Sequence, residues 1–336
     1  MGIDMSVIWA GIIVLGVFIY VVMDGFDLGV GILFPFNQDR GDRDVMMNTI
    51  APVWDGNETW LVLGGAGLMA AFPVVYSTVL SALYLPIMLM LIGLILRGVA
   101  FEFRFKASEH RRHIWDKAFA GGSLLATLMQ GVTLGAIMMG LEIRNGVFVG
   151  GAFDWFSPFS IFTGCALVVG YVFLGSTWLV MKTEGSLQEQ MRKTARVSTV
   201  LMACVIAAIS LWTPMLHAYI AQRWFDQQTF YWFLPVPVLV LACLVLLWRT
   251  LGSERRNGSP FALALCITFL GYSGLVISLM PIIVPPSLTI WAAAAPASSQ
   301  GFALVGALFI IPIIIGYTAW SYYVFRGKVR HGEHYH

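Results

Sequence analysis

VIWAGIIVLGVFIYVVMDGFDLGVGILF, residues 7–34, decides the fold. Residues 7–23 hold no charged side chain, and after Asp24 and Asp27 the apolar pattern resumes through Phe34. A helix needs about 20 mainly apolar residues to cross a bilayer. The stretch therefore reads as a membrane-spanning helix with two acids near one end. It does not read as a cleaved signal peptide, because only Asp4 precedes it and it is too long for a signal's apolar core.

The rest of the chain repeats the pattern. Eight further runs of suitable length lie at 49–71, 75–103, 115–141, 158–181, 197–221, 231–251, 261–284 and 299–325. Of the 336 residues, 58% are hydrophobic and only 11% are charged, against roughly 25% charged in a soluble domain. A water-soluble fold cannot cover its surface with so little charge. The net charge of +2 gives no case for a nucleic-acid partner. Cys165, Cys204, Cys243 and Cys266 lie far apart inside apolar runs, so neither a disulfide framework nor a metal cluster is signalled. The expected fold is all-α, a polytopic membrane protein of nine transmembrane helices forming one integral membrane domain over 1–336. Two four-helix bundles, near 1–145 and 155–290, with a final helix at 299–325, are compatible with that pattern.

Basic residues set the orientation. Of the 20 lysines and arginines, 17 fall after runs one, three, five, seven and nine, Arg255 and Arg256 among them. The opposite loops keep only Arg144 and Arg223, and Arg97 lies within a helix. Cytoplasmic loops carry the basic excess, so the N-terminus is expected outside and the C-terminus in the cytoplasm.

Ionisable groups inside a membrane are costly and need a reason. Here they crowd the first three helices: Asp24 and Asp27 in DGFDLGVG, Asp55, Asn57 and Glu58 in WDGNETW, and Arg97 with Glu102 beyond it. Asp24 and Asp27, three apart, share a helical face, and Gly25, Gly29 and Gly31 beside them permit close helix approach. One arginine cannot pair with four acids, so at least one of them is expected to hold a proton, as a proton relay requires. Plainer readings stand beside this one. Asp55 and Glu58 also fit a capping box that starts the helix at Gly56. Helix one also fits a stop near Gly25 with both acids in water, and Arg97 is near enough to its helix end to snorkel.

Other candidates are weaker. His331, His334 and His336 read as a solvated tail, His110 and His113 as surface, and His217 as an interfacial side chain. Met129, Met138 and Met139 read as packing filler. No histidine falls in the middle of a helix, which excludes a bis-histidine haem site on this chain.

VVMDGFDLGVGILFPF in helix one, NTIAPVWDGNETWLVLGGAGLMAAFPVVY through helix two, and LILRGVAFEFR in helix three resemble subunit II of the cytochrome bd-type quinol oxidases, closest to the shorter, cyanide-insensitive branch. That resemblance implies a heterodimeric respiratory enzyme of the bacterial inner membrane that oxidises quinol and reduces dioxygen to water. The larger subunit I would carry the haems, of b type and in some members d type, while subunit II carries none, and some members hold a structural quinone. Membrane lipid and, in some members, a small single-helix subunit are further partners. By motif, Asp24 and Asp27 match the helix-one acidic pair, Asp55 the Asp of the W-D-G-N segment on the proton path or subunit interface, and Arg97 the helix-three arginine. Glu58 ranks below Asp55, because its matching position can be Gln. The competing reading is a proton-coupled secondary transporter, for which acids near glycine-interrupted helices would bind the coupling ion.

Overall fold

The computed structural model describes residues 4–144, 146–253 and 257–332; Arg255, Arg256, His334 and His336 lie outside them. Helix α1 (Met5–Leu33) runs unbroken past both acids, which removes the reading in which it stops near Gly25. Asp4 caps it, its side chain accepting from the amides of Ser6 and Val7. At 1.5 Å per residue, 29 residues span about 43 Å, well beyond the roughly 30 Å hydrocarbon layer. The excess is not left to water or lipid: Asp24 through Leu33 are all buried against protein.

A short turn and α2 (Arg40–Asn48) lead into α3 (Trp54–Ala71), which is followed by α4 (Pro73–Ala82) and α5 (Tyr84–Lys106). The run expected at 75–103 is thus two helices. Pro73 disfavours helical geometry at Phe72, and α4 leaves α3 at a bend of 120°. The ring of Pro86 would clash with the Ala82 carbonyl in a continuous helix, so the chain breaks again at Leu83. Next come α6 (Arg112–Met139) and α7 (Pro158–Lys182), the latter opened by a Ser157/Ser160 capping box with Pro158 in its first turn.

Helix α8 (Gly185–Leu216) starts well before the expected 197, because its polar first turns fall below any hydropathy threshold while still winding as helix. After it come α9 (Ala218–Phe225), α10 (Gln227–Phe233), α11 (Pro235–Thr250), α12 (Ser259–Leu279) and α13 (Ala297–Val324). The eighth run was expected to reach 284. Its last residues instead form a small hairpin, β3 (Ile282–Val284) with β4 (Leu288–Thr289), matching the hairpin β1 (Ile143–Arg144) with β2 (Val147–Phe148) at the same end. Arg223 of α9 donates to the carbonyls of Ile277, Ser278 and Met280, satisfying the open end of α12.

Among the described residues, eight helices, counting α10 with α11, are long and apolar enough to span a membrane, or nine counting the bent α3–α4 pair. The main interfaces join α5 to α6, α6 to α7, α1 to α7, α7 to α8 and α1 to α3. Along α13 most apolar side chains face outward, Phe302 and Phe309 among them, while Leu304, Ala307 and Tyr322 pack against the core. The chain that follows α13 is not a free tail. Lys328 donates to the Thr183 carbonyl, the Val329 amide donates to that of Lys182, and His331 meets Asp42 at 2.9 Å. The four cysteines are unpaired.

Candidate functional site

The polar cluster sits where α1, α3 and α5 converge. Arg97, on α5, is completely buried and does not snorkel. Its guanidinium forks between two helices: one nitrogen is 2.6 Å from Asp24 Oδ1 on α1 and the other 2.6 Å from Glu58 Oε1 on α3. Trp54 lies against the same guanidinium, 5.9 Å from ring centre to Cζ, and stacks on Phe101. Asp27 takes a different partner. Asn57 Nδ2 donates to Asp27 Oδ2 at 2.7 Å, and Asn57 Oδ1 accepts from the Tyr322 hydroxyl of α13 at 2.9 Å.

Helical spacing explains the split. Asp24 and Asp27 are both fully buried one turn apart, so each meets a different level of the neighbouring helices. Three carboxylates gather around one guanidinium, and buried charge of that kind is tolerated only when paired. Asp24 Oδ2, Asp27 Oδ1 and Arg97 Nε have no hydrogen-bond partner among the described residues.

The glycines do what their spacing suggests. A Cβ on Gly29 would sit 1.8 Å from the Tyr171 carbonyl oxygen, and one on Gly175 would sit 2.6 Å from the Gly29 carbonyl carbon. Helices α1 and α7 therefore touch backbone to backbone beside the cluster. A Cβ on Gly31 would instead meet a side chain, the Ser123 hydroxyl of α6, at 2.1 Å.

Asp55 does not join this group. Helix α3 starts at Trp54 rather than Gly56, and no side chain caps its first turn, so the capping box is not formed. Asp55 is exposed, on the outer face of α3. Glu58, one turn on, is the cluster member that reaches the surface, with its side chain 26% exposed. Glu102 is exposed and pairs with Lys106 of its own helix.

Two sets of polar residues escaped the sequence reading. Tyr171 donates to Gln130 Oε1 at 2.9 Å and Gln130 Nε2 donates to the Tyr20 hydroxyl, so uncharged groups from α7, α6 and α1 meet one turn from Asp24. Second, Arg104, counted above as a loop cation, is 2% exposed. It lies 2.6 Å from both Asp44 and Asp116, and Arg43 reaches Asp116 at 3.1 Å. Acids interleaved with the basic residues of 40–44 and 104–116 were the available signal.

Among the described residues, histidines sit only at the ends of the bundle. His110 and His113 are exposed and His331 lies beyond α13. His217 contacts the Met138 carbonyl at 2.9 Å and stacks on Tyr219. None faces another across the bundle, so the described histidines do not fit a bis-histidine haem.

Known proteins resemble this chain over nearly its whole length. The chain is 30% identical to the cytochrome bd-I ubiquinol oxidase subunit 2 of Escherichia coli K12, covering 95% of this chain and 93% of that protein. It is 32% identical to the cytochrome bd ubiquinol oxidase subunit 2 of Bacillus subtilis, over 93% of both. The bd oxidase structure from Geobacillus thermodenitrificans shares the fold at a TM-score of 0.76, with 19% identity over 96% of this chain and 99% of that one. The sequence profile for subunit II of the cytochrome bd terminal oxidases matches residues 5–325, so this multi-pass membrane chain, with its acids gathered on one buried arginine, belongs to that family.

Proposed function

We propose that this chain works as the haem-free subunit II of a quinol:dioxygen oxidoreductase in a bacterial inner membrane. In this reading it assembles with a larger haem-bearing subunit I and helps deliver protons from the cytoplasm to the oxygen-reducing site. Family membership sets this reading above the proton-coupled transporter. The observation that carries the proton role is the buried fork of Arg97 between Asp24 and Glu58, with Asp27 one turn away and carboxylate oxygens left without partners.

The route begins at Asp55. On α3 the exposed positions Asp55, Val62 and Met69 recur every seven residues and form one outward stripe, with the acid at its end. A carboxylate facing lipid is costly. Asp55 therefore faces the partner subunit, where it hands protons to Glu58 and the Arg97 cluster. The basic excess around 40–44 and 104–117 supports a cytoplasmic position for that end and an N-terminus outside. The close α1–α7 contact suits two four-helix bundles meeting at their first helices.

The test is oxygen consumption by the purified complex carrying Asp24→Asn or Asp55→Asn. Slower turnover or loss of haem is expected from each. Unchanged turnover and haem content in both would remove the proton role while leaving family membership intact.

A further inference from the structure

A second polar feature, separate from the Arg97 cluster, lies at the end of the bundle where α2 meets the α5–α6 connection. It is a cleft of about 280 Å³ lined by Arg40, Arg43, Arg104 and Arg112, with His110 and His113 beside them. Two of the four guanidiniums are engaged: Arg104 with Asp44 and Asp116, and Arg43 with Asp116. Arg40 and Arg112 form no ion pair among the described residues, and Arg112 Nε is buried with no acceptor. The acids on the lining are Asp116, already shared by two arginines, and Glu109, so the cleft is cationic.

The arrangement is built rather than incidental. Arg104 is almost wholly buried and fixed by two carboxylates at 2.6 Å, and its ion pairs stiffen one wall. Arg40 and Arg112, from two other helices, converge on the same space with donors to spare. Planar guanidinium forks at fixed positions match the oxygens of a phosphate group. The flanks add a second requirement. Phe103 and Ile114, chain neighbours of the lining, and Phe36, four residues before Arg40, are exposed apolar side chains at 53%, 52% and 74%. A cationic cleft bordered by outward apolar groups, at the end of membrane-spanning helices, suits an amphiphile with a negative head.

We propose that this cleft binds the phosphate of an anionic phospholipid, with the acyl chains lying along the outer surface of α5 and α6. Arg40 and Arg112 supply the donors, and the Arg104–Asp44–Asp116 network holds the wall in place.

The intact oxidase complex, stripped of bound lipid in detergent, is titrated with phosphatidylglycerol and phosphatidylcholine of identical acyl chains, and bound lipid is counted by native mass spectrometry. Preferential binding of phosphatidylglycerol is expected. The double variant Arg40→Gln/Arg112→Gln should weaken it roughly thirtyfold while leaving phosphatidylcholine unaffected. Neither arginine holds an ion pair among the described residues, so haem content and melting temperature should match the wild type. If assembly suffers, Arg112→Gln alone is read the same way. Equal binding of the two lipids, or a double variant that binds phosphatidylglycerol as the wild type does, overturns the proposal. Displacement of phosphatidylglycerol by millimolar inorganic phosphate also overturns it, since the cleft would then serve a soluble anion.

Discussion

Arg97 of α5 and Asp24 of α1 are joined by a 2.6 Å ion pair in which neither side chain is exposed at all. Breaking such a pair by removing one partner strands a buried charge, which typically costs about 3–5 kcal/mol. Arg97→Gln strands two carboxylates, Asp24 and Glu58. Asp24→Asn leaves the guanidinium on Glu58, whose side chain is partly exposed. The expected order of destabilisation is Arg97→Gln, then Asp24→Asn, then Glu58→Gln. The double variant Arg97→Gln/Asp24→Asn should lose less than the sum of its parts, because the residues share one network. Melting temperatures of the purified complex check both statements; additive losses would show that the pair is not energetically coupled.

Gly29 and Gly175 supply the second prediction. Alanine normally stabilises a helix over glycine by about 0.5–1 kcal/mol. At Gly11 the added methyl would meet nothing within 4 Å, so Gly11→Ala should be neutral or mildly stabilising. At Gly29 it would overlap the backbone of Tyr171, which cannot rotate away. Gly29→Ala must push α7 off α1, at a cost of about 1–3 kcal/mol or more. Because the contact lies beside Asp24 and Asp27, turnover should fall along with thermal stability. A Gly29→Ala complex as stable as Gly11→Ala would contradict the packing described here.

Much of this could be read before any coordinates. Long apolar runs reveal spans because lipid leaves the backbone little alternative to helix. The acids and the arginine at one end of helices one to three were visible for the same reason: each is expensive where it stands. What stayed hidden depends on contacts across long sequence distances. Arg104 and Asp44 are 60 residues apart, and only the fold brings them together. Tyr20, Gln130 and Tyr171 are uncharged, so they barely register in a hydropathy window. The capping box of Asp55 and Glu58 did not form because it depends on whether α3 starts at Trp54 or Gly56, and a shift of that size turns a cap into an exposed first-turn acid. The break at Leu83 is invisible to hydropathy, although Pro86 marks it for anyone asking where its ring would go.

Asp4 gives a pH prediction at the opposite end of the molecule. Trp291 Nε1 donates to Asp4 Oδ2 at 2.7 Å, and this bond foremost, helped by the Val7 and Ser6 amides, holds the carboxyl below its ordinary range. A depressed folded value means the contribution is fully present above the unfolded pKa near 3.9 and is lost as pH falls through the folded value. The link between the start of α1 and the segment before α13 should therefore hold at pH 5 and weaken below about pH 4. Hydrogen-exchange protection of residues 286–296, corrected for intrinsic rates, should drop between pH 5 and pH 3. In Asp4→Asn that drop should be much smaller. Equal pH sensitivity in both proteins would assign the effect to other groups.

Lys182 closes the end of α13. The helix stops at Val324, and its last carbonyls need donors from elsewhere. The Lys182 ammonium, at the end of α7, donates to the carbonyls of Phe325 and Gly327 and lies over the Trp178 ring at 5.3 Å. Lys328 and Val329 return the contact through Thr183 and Lys182. Helix α13 is mostly exposed, and this fastening joins the Tyr322–Asn57 bond in holding it to the bundle on this side. Lys182→Met keeps the apolar stem and removes the donors, leaving two carbonyls unsatisfied at a cost of about 1.5–3 kcal/mol. Residues 320–330 should then exchange faster by one to two orders of magnitude, while α1 and α7 keep their protection. Lys182→Arg, which retains charge and donors, should restore most of the protection. If Lys182→Met leaves that segment as protected as the wild type, α13 is held by its apolar neighbours, and the ammonium merely fills space beneath it.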